Sequence, residues 1–192
     1  MARGTRLRKL SPSAKLFFGL VIAAGMVVLL QAALHPSSRN IAEFVCYLLI
    51  SLLASRVKVT LPEVGDSLSV NFLFVLIGIL DLGFAETLML GSVGALMQCF
   101  QGQRTRPLRI VFNVCASAFA GALAFGAYHQ VSPLYGRLDL RPFLLVLAAT
   151  VYFVINTAAL VGAVVLTEGK SLDKTWVQSV SYTHLDVYKR QT

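Results

Sequence analysis

The chain has 192 residues, 56% of them hydrophobic and only 14% charged, with a mean hydropathy of +0.72 and a formal charge of +8. A soluble domain carries about a quarter charged residues, so a soluble fold is excluded and a polytopic membrane protein is expected. The basic residues gather at the ends of apolar runs, so they read as topology determinants and contacts to the lipid bilayer rather than as a nucleic-acid surface.

Residues 1–15 form a basic arm carrying Arg3, Arg6, Arg8, Lys9 and Lys15. An apolar run of membrane-spanning length follows, from Leu16 to Leu34. Signal-peptide cores usually run only ~7–15 residues, so a retained first helix is expected, with Gly19, Ala23 and Gly25 open to close helix contact. His35, Pro36, Ser37 and Ser38 then stop the helix, and Asn40 is placed to cap the next one. That second span is expected over about residues 41–54, with Glu43 in its first turn, where a carboxylate suits the helix dipole. Arg56 and Lys58 follow it.

The centre of the chain, residues 61–100, holds two short apolar runs, Val70 to Leu80 and Thr87 to Cys99. A polar knee with Asp81, Gly83 and Glu86 separates them. One continuous helix would be too long and would carry two acids in its middle. Two helices fit better, each short of the roughly 20 residues that cross ~30 Å of hydrocarbon. Arg56 and Lys58 before the stretch, and Arg104, Arg106 and Arg109 after it, place both flanks on the cytoplasmic side. The stretch is therefore read as a hairpin that goes out and comes back, with Asp81 and Glu86 near the outer turn. Acids in a membrane segment are costly unless they face water or a partner. The hairpin is accordingly the expected ligand-handling element. The plainer reading, which the same cost argument favours, seats both acids in the outer headgroup region. Ser67 or Ser69 is placed to cap the third helix, and Asn71 just inside it suits hydrogen bonding between helices.

A basic inner loop leads to a fifth span over about residues 108–128, with a small-residue face that includes Ala116, Ser117, Ala118, Ala120 and Ala124. Such a face packs closely on a neighbour. Asn113 is its one strongly polar residue, and His129 at its outer end is expected in solvent. After an outer loop, a sixth span is expected over about residues 143–166, with Asn156 near its middle. Twelve Lys and Arg residues fall on the inner side of this scheme and three on the outer side, Arg39, Arg137 and Arg141. The asymmetry predicts six crossings with both ends in the cytoplasm. The expected fold is all-α: a transmembrane bundle of about six helices around a central short-helix hairpin.

Phosphate-binding, zinc-protease and serine-hydrolase motifs are all missing from the sequence. Cys46, Cys99 and Cys115 show no metal or redox spacing and are expected to be buried, inert thiols. Neither a catalytic residue, a cofactor nor a metal site is therefore assigned, and the chain is not expected to be an enzyme. If a small molecule is bound, Asn71, Asp81, Glu86, Asn113 and Asn156 are the polar groups to test, although hydrogen bonding between helices explains the asparagines equally well.

Three resemblances enter the reading, and two of them bear on function. Residues 180–191, VSYTHLDVYKRQ, resemble a translated sequencing adapter joined to its reverse complement. They are excluded from fold reasoning, which leaves residues 1–179 as the expected membrane domain and 180–192 as a non-native tail, with native sequence expected to continue beyond. The stretches KLFFGLVIAAGMVVLLQAALH, EFVCYLLISLLASRVKVTLP, LSVNFLFVLIGILDLGFAETLMLG, VYFVINT and LTEGKSLDKTW resemble the N-terminal membrane region of bacterial signalling proteins best represented among acidobacteria. In that group an HD-GYP phosphohydrolase or GGDEF diguanylate cyclase domain follows, both acting on cyclic di-GMP. The resemblance implies a sensory membrane domain of the bacterial inner membrane, compatible with a homodimer. The segment from Ser67 to Met97 is also similar to substrate-binding components of energy-coupling-factor vitamin transporters. A third reading is a purely structural anchor.

Overall fold

A computed structural model describes residues 12–35, 41–56, 71–101, 107–131 and 140–168. Six helices occupy these residues: α1 (Pro12–Leu34), α2 (Ile41–Arg56), α3 (Asn71–Asp81), α4 (Phe84–Gln101), α5 (Pro107–Val131) and α6 (Arg141–Glu168). No strand occurs among the described residues, and the fold is the expected all-α membrane bundle. Three helices, α1, α5 and α6, are long and apolar enough to cross a membrane. The expected positions of Ser67 and Ser69, the cap at Asn40 and the tail from residue 180 lie outside the described residues.

The central stretch breaks where its composition predicts, at Leu82 and Gly83. The two arms are unequal. With 18 residues, α4 is about 27 Å long at ~1.5 Å per residue and nearly matches the hydrocarbon thickness. With 11 residues, α3 is about 16 Å long and covers roughly half of it.

The helix α5 lies at the middle of the bundle and packs on α1, α4 and α6. Its small residues make this possible: Ala116, Ala118, Ala120 and Ala124 are almost fully buried. One core joins Ala120 and Ala124 to Ala148 and Tyr152 of α6 and to Val75 and Ile79 of α3. Another joins Phe112 and Ala116 to Phe18 and Val21 of α1 and Ala159 and Ala163 of α6. The Phe18 and Phe112 rings lie 4.6 Å apart there. Of the three small residues expected to bring α1 close to a neighbour, only Gly25 does so. Its Cα meets the backbone of Cys115 with no room for a methyl group, whereas Gly19 has open space around it and Ala23 is exposed.

The second helix is peripheral. Phe44, Tyr47 and Leu48 pack on Phe74, Leu82 and Leu90 of the hairpin, and the opposite face is exposed. This corrects the expectation for Cys46. It lies on that outward face and is exposed, while Cys99 and Cys115 are buried as expected. The outward faces of α1 and α6, with Leu16, Leu20, Leu30, Phe143, Val146 and Phe153, are also apolar and exposed. That pattern suits a lipid surround rather than water.

Candidate functional site

Polar side chains are scarce among the described residues of this bundle, and apart from Ser51 of α2 those that are buried collect at two levels of the hairpin. The first level is the knee. Gly83 precedes the first residue of α4, and its N–H donates to Oε2 of Glu86 at 2.6 Å. A carboxylate three residues into a helix that accepts the N–H of the capping position is one half of a capping box. The other half needs a side chain that glycine lacks. Instead the Thr87 hydroxyl donates to the Gly83 carbonyl oxygen at 2.9 Å, alongside the Thr87 N–H at 3.0 Å. Glu86 is 6% exposed, and its Oε1 has no hydrogen-bond partner. It shares a face of α4 with Leu90, which packs on α2.

Asp81 stands at the other side of the knee, at the end of α3. Its position opposes the helix dipole, which disfavours an acid at a C-terminus. Asp81 is exposed, and Tyr47 of α2 donates its hydroxyl to Oδ2 at 3.1 Å. The two acids predicted together are thus brought to one turn but into different surroundings: Glu86 inside and structural, Asp81 outside and tied to α2.

The second level lies about 12 Å further along α4, taking ~1.5 Å per residue from Gly83 to Gly91. The hairpin arms meet there through small residues. Asn71, Val75 and Gly78 of α3 face Gly94, Gly91 and Thr87 of α4 in antiparallel order. Asn71 is buried, and its Nδ2 donates to the Gly91 carbonyl oxygen at 3.1 Å. Its Oδ1 has no hydrogen-bond partner and lies against Gly94. Ser117 of α5 donates to the same carbonyl oxygen at 3.4 Å. Its hydroxyl also lies 3.0 Å from the Tyr152 hydroxyl of α6. Three helices therefore meet at one backbone oxygen, and α6 joins them through the Ser117 hydroxyl, which makes a four-helix junction. An unpaired polar group would be costly at this depth, and the cluster satisfies most of its own donors.

Asn113, one turn before Ser117 on α5, is half-buried and donates Nδ2 to Sγ of Cys99 at 3.6 Å. Asn156 is half-buried on α6, one turn beyond Tyr152. His129 is exposed as expected, but its ring stacks on Phe125 at 4.0 Å and its Nδ1 lies 3.1 Å from the Phe125 carbonyl oxygen. The structure thus separates the five predicted residues into the knee (Asp81, Glu86), the four-helix junction (Asn71) and a neighbouring level (Asn113, Asn156). Gly91, Ser117, Tyr152 and Tyr47 were not singled out by sequence reasoning. The spacing of Asn113 to Ser117 and of Tyr152 to Asn156, four residues in each helix, was the signal available for two of them. Among the described residues no group of three His, Cys, Asp or Glu side chains is placed to hold a metal ion.

Residues 12–189 match MASE9, a membrane-associated sensor family. The chain belongs to the MASE9 family. No curated protein and no solved structure matches it. In this MASE9 chain the polar groups of the knee and the junction are held on apolar helices with exposed apolar outer faces.

Proposed function

We propose that this MASE9 domain is the input half of a bacterial signalling protein that makes or degrades cyclic di-GMP, seated in the inner membrane with its N-terminus in the cytoplasm. The family match over residues 12–189 carries the sensory part of this reading. The likeness of the five quoted stretches to membrane regions that precede HD-GYP or GGDEF domains supports the output. The excess of Lys and Arg on one side supports the orientation. The domain itself is read as non-catalytic. It binds or responds to a signal at the hairpin and passes a change in helix position onward.

Sequencing the parent locus past the codon for Ser179, with adapter-free reads, tests this directly. An HD-GYP or GGDEF domain in frame is expected. A stop codon shortly after α6 would overturn the cyclic di-GMP output and leave only the membrane-associated sensor family.

A further inference from the structure

The four-helix junction has a property that a purely structural contact does not need: its two central groups are each shared. The Gly91 carbonyl oxygen serves both Asn71 and Ser117, and the Ser117 hydroxyl serves both Gly91 and Tyr152. Asn71, Ser117 and Tyr152 are 5%, 4% and 5% exposed, so none has water to take a lost partner's place. Tyr152 also meets α3 through its ring, whose centroid lies 5.5 Å from that of Phe72. Both ends of this side chain thus register where α3 sits, the ring directly and the hydroxyl through Ser117 and Gly91.

We propose that this junction is a conformational coupling device: the shared Gly91 carbonyl ties the seating of the short helix α3 to that of α6, so that a displacement of the hairpin is registered at the last helix of the bundle. The proposal deepens the sensor reading and rests on it only for its biological use. Three features fit the role. The 11 residues of α3 end at a glycine-containing knee and pack closely on α4 over Gly78, Gly91 and Gly94, so a displacement of either arm reaches the other. The linking groups sit near the middle of α5 and α6, where hydrogen bonds lack competition from water. A second polar level lies one turn away. With α5 and α6 antiparallel and Ser117 opposite Tyr152, Asn113 and Asn156 fall at the same height. The Asn113 amide is given to a sulfur, a weak acceptor. That level offers α6 polar partners in a second seating.

The test is a double-mutant cycle on the full chain in lipid nanodiscs. Asn71→Ala and Tyr152→Phe are made singly and together, and unfolding is followed by circular dichroism. If the junction couples α3 to α6, the two effects on the unfolding equilibrium do not multiply, departing by at least about twofold. Gly19→Ala combined with Tyr152→Phe serves as the uncoupled control and multiplies, since nothing lies within 4 Å of a methyl group at Gly19. Multiplicative behaviour of the Asn71 and Tyr152 pair overturns the proposal. Should Asn71→Ala fail to fold, hydrogen exchange on Tyr152→Phe decides. Faster exchange in residues 71–81 with unchanged exchange in residues 41–53 supports the coupling, and unchanged exchange in residues 71–81 overturns it. Neither measurement involves cyclic di-GMP, so the coupling and the signalling reading fail separately.

Discussion

The Asn71 carboxamide of α3 occupies the space that a side chain on Gly94 of α4 would need. This one contact lets the hairpin close, because it brings the Asn71 amide within reach of the Gly91 carbonyl oxygen. Gly94→Ala must push the carboxamide aside and break that bond. The expected cost is about 1–3 kcal/mol, as for overpacking a tight interface. Gly19→Ala is the matched control, since nothing lies within 4 Å of the added methyl. Replacing an exposed helical glycine by alanine gains up to about 1 kcal/mol. Unfolding of the two variants in the same detergent or nanodisc should therefore move in opposite directions. Equal shifts would mean that the two arms do not close at Gly94.

The knee makes a prediction about the type of side chain rather than its charge. Glu86 accepts the Gly83 N–H through one oxygen, and a glutamine carbonyl can do the same. Glu86→Ala removes the acceptor and should cost about 1 kcal/mol, the usual scale for a lost helix cap. Glu86→Gln should cost clearly less, because its carbonyl oxygen can take the bond and its burial leaves a neutral side chain in place of an acid. Thermal unfolding of the pair by circular dichroism checks the order. A Glu86→Gln variant as unstable as Glu86→Ala would show that the charge, not the cap, holds the knee.

These two cases mark how far the sequence carries. The hairpin, its breakpoint and all six helices are legible from apolar run length, Gly83 and the flanking basic residues. Helix ends came out within a few residues, apart from the N-terminus of α1 at Pro12, where the basic arm concealed the first turn. The inequality of the arms was partly concealed, because Val70 to Leu80 and Thr87 to Cys99 look alike as runs while only α4 draws in helical residues on both sides. Glu86 and Asp81 were legible as a pair but not as opposites. Burial depends on which face of α4 meets α2, and α2 has apolar residues on every side. Ser117 and Tyr152 were hidden for a similar reason. Their partnership is fixed by the register of two antiparallel helices, which neither helix encodes alone.

The cysteines turn the helix faces into a chemical measurement. Cys46 lies on the exposed face of α2, whereas Cys99 and Cys115 are buried in contacts with α5 and α1. A lipid-soluble maleimide applied to the folded chain should modify Cys46 first, and the other two should react only after denaturation. Intact-mass spectrometry reads the number of adducts, and peptide mapping reads their places. Early modification of Cys115 would contradict the close approach of Gly25 to its backbone, since α1 would have to leave α5 for the reagent to enter.

Asp81 offers the sharpest test of sensing, because its environment lacks the structural duty that Glu86 carries. It is exposed, ends α3 against the helix dipole, and is held by one contact from outside the hairpin, the Tyr47 hydroxyl. Changing both acids at once would confuse a lost cap with a lost signal. Asp81→Asn alone keeps an oxygen for the Tyr47 hydroxyl and removes the charge. Tyr47→Phe keeps the charge and removes the bond. In the parent protein, given the cyclic di-GMP output proposed above, a sensing knee predicts that Asp81→Asn changes that output severalfold at equal abundance in the membrane. If the link to α2 is the sensed element, Tyr47→Phe should reproduce the change; if the charge is, it should not. Unaltered output in both variants would remove the outer knee from signal reception and leave it the plainer role of an acid resting among lipid headgroups.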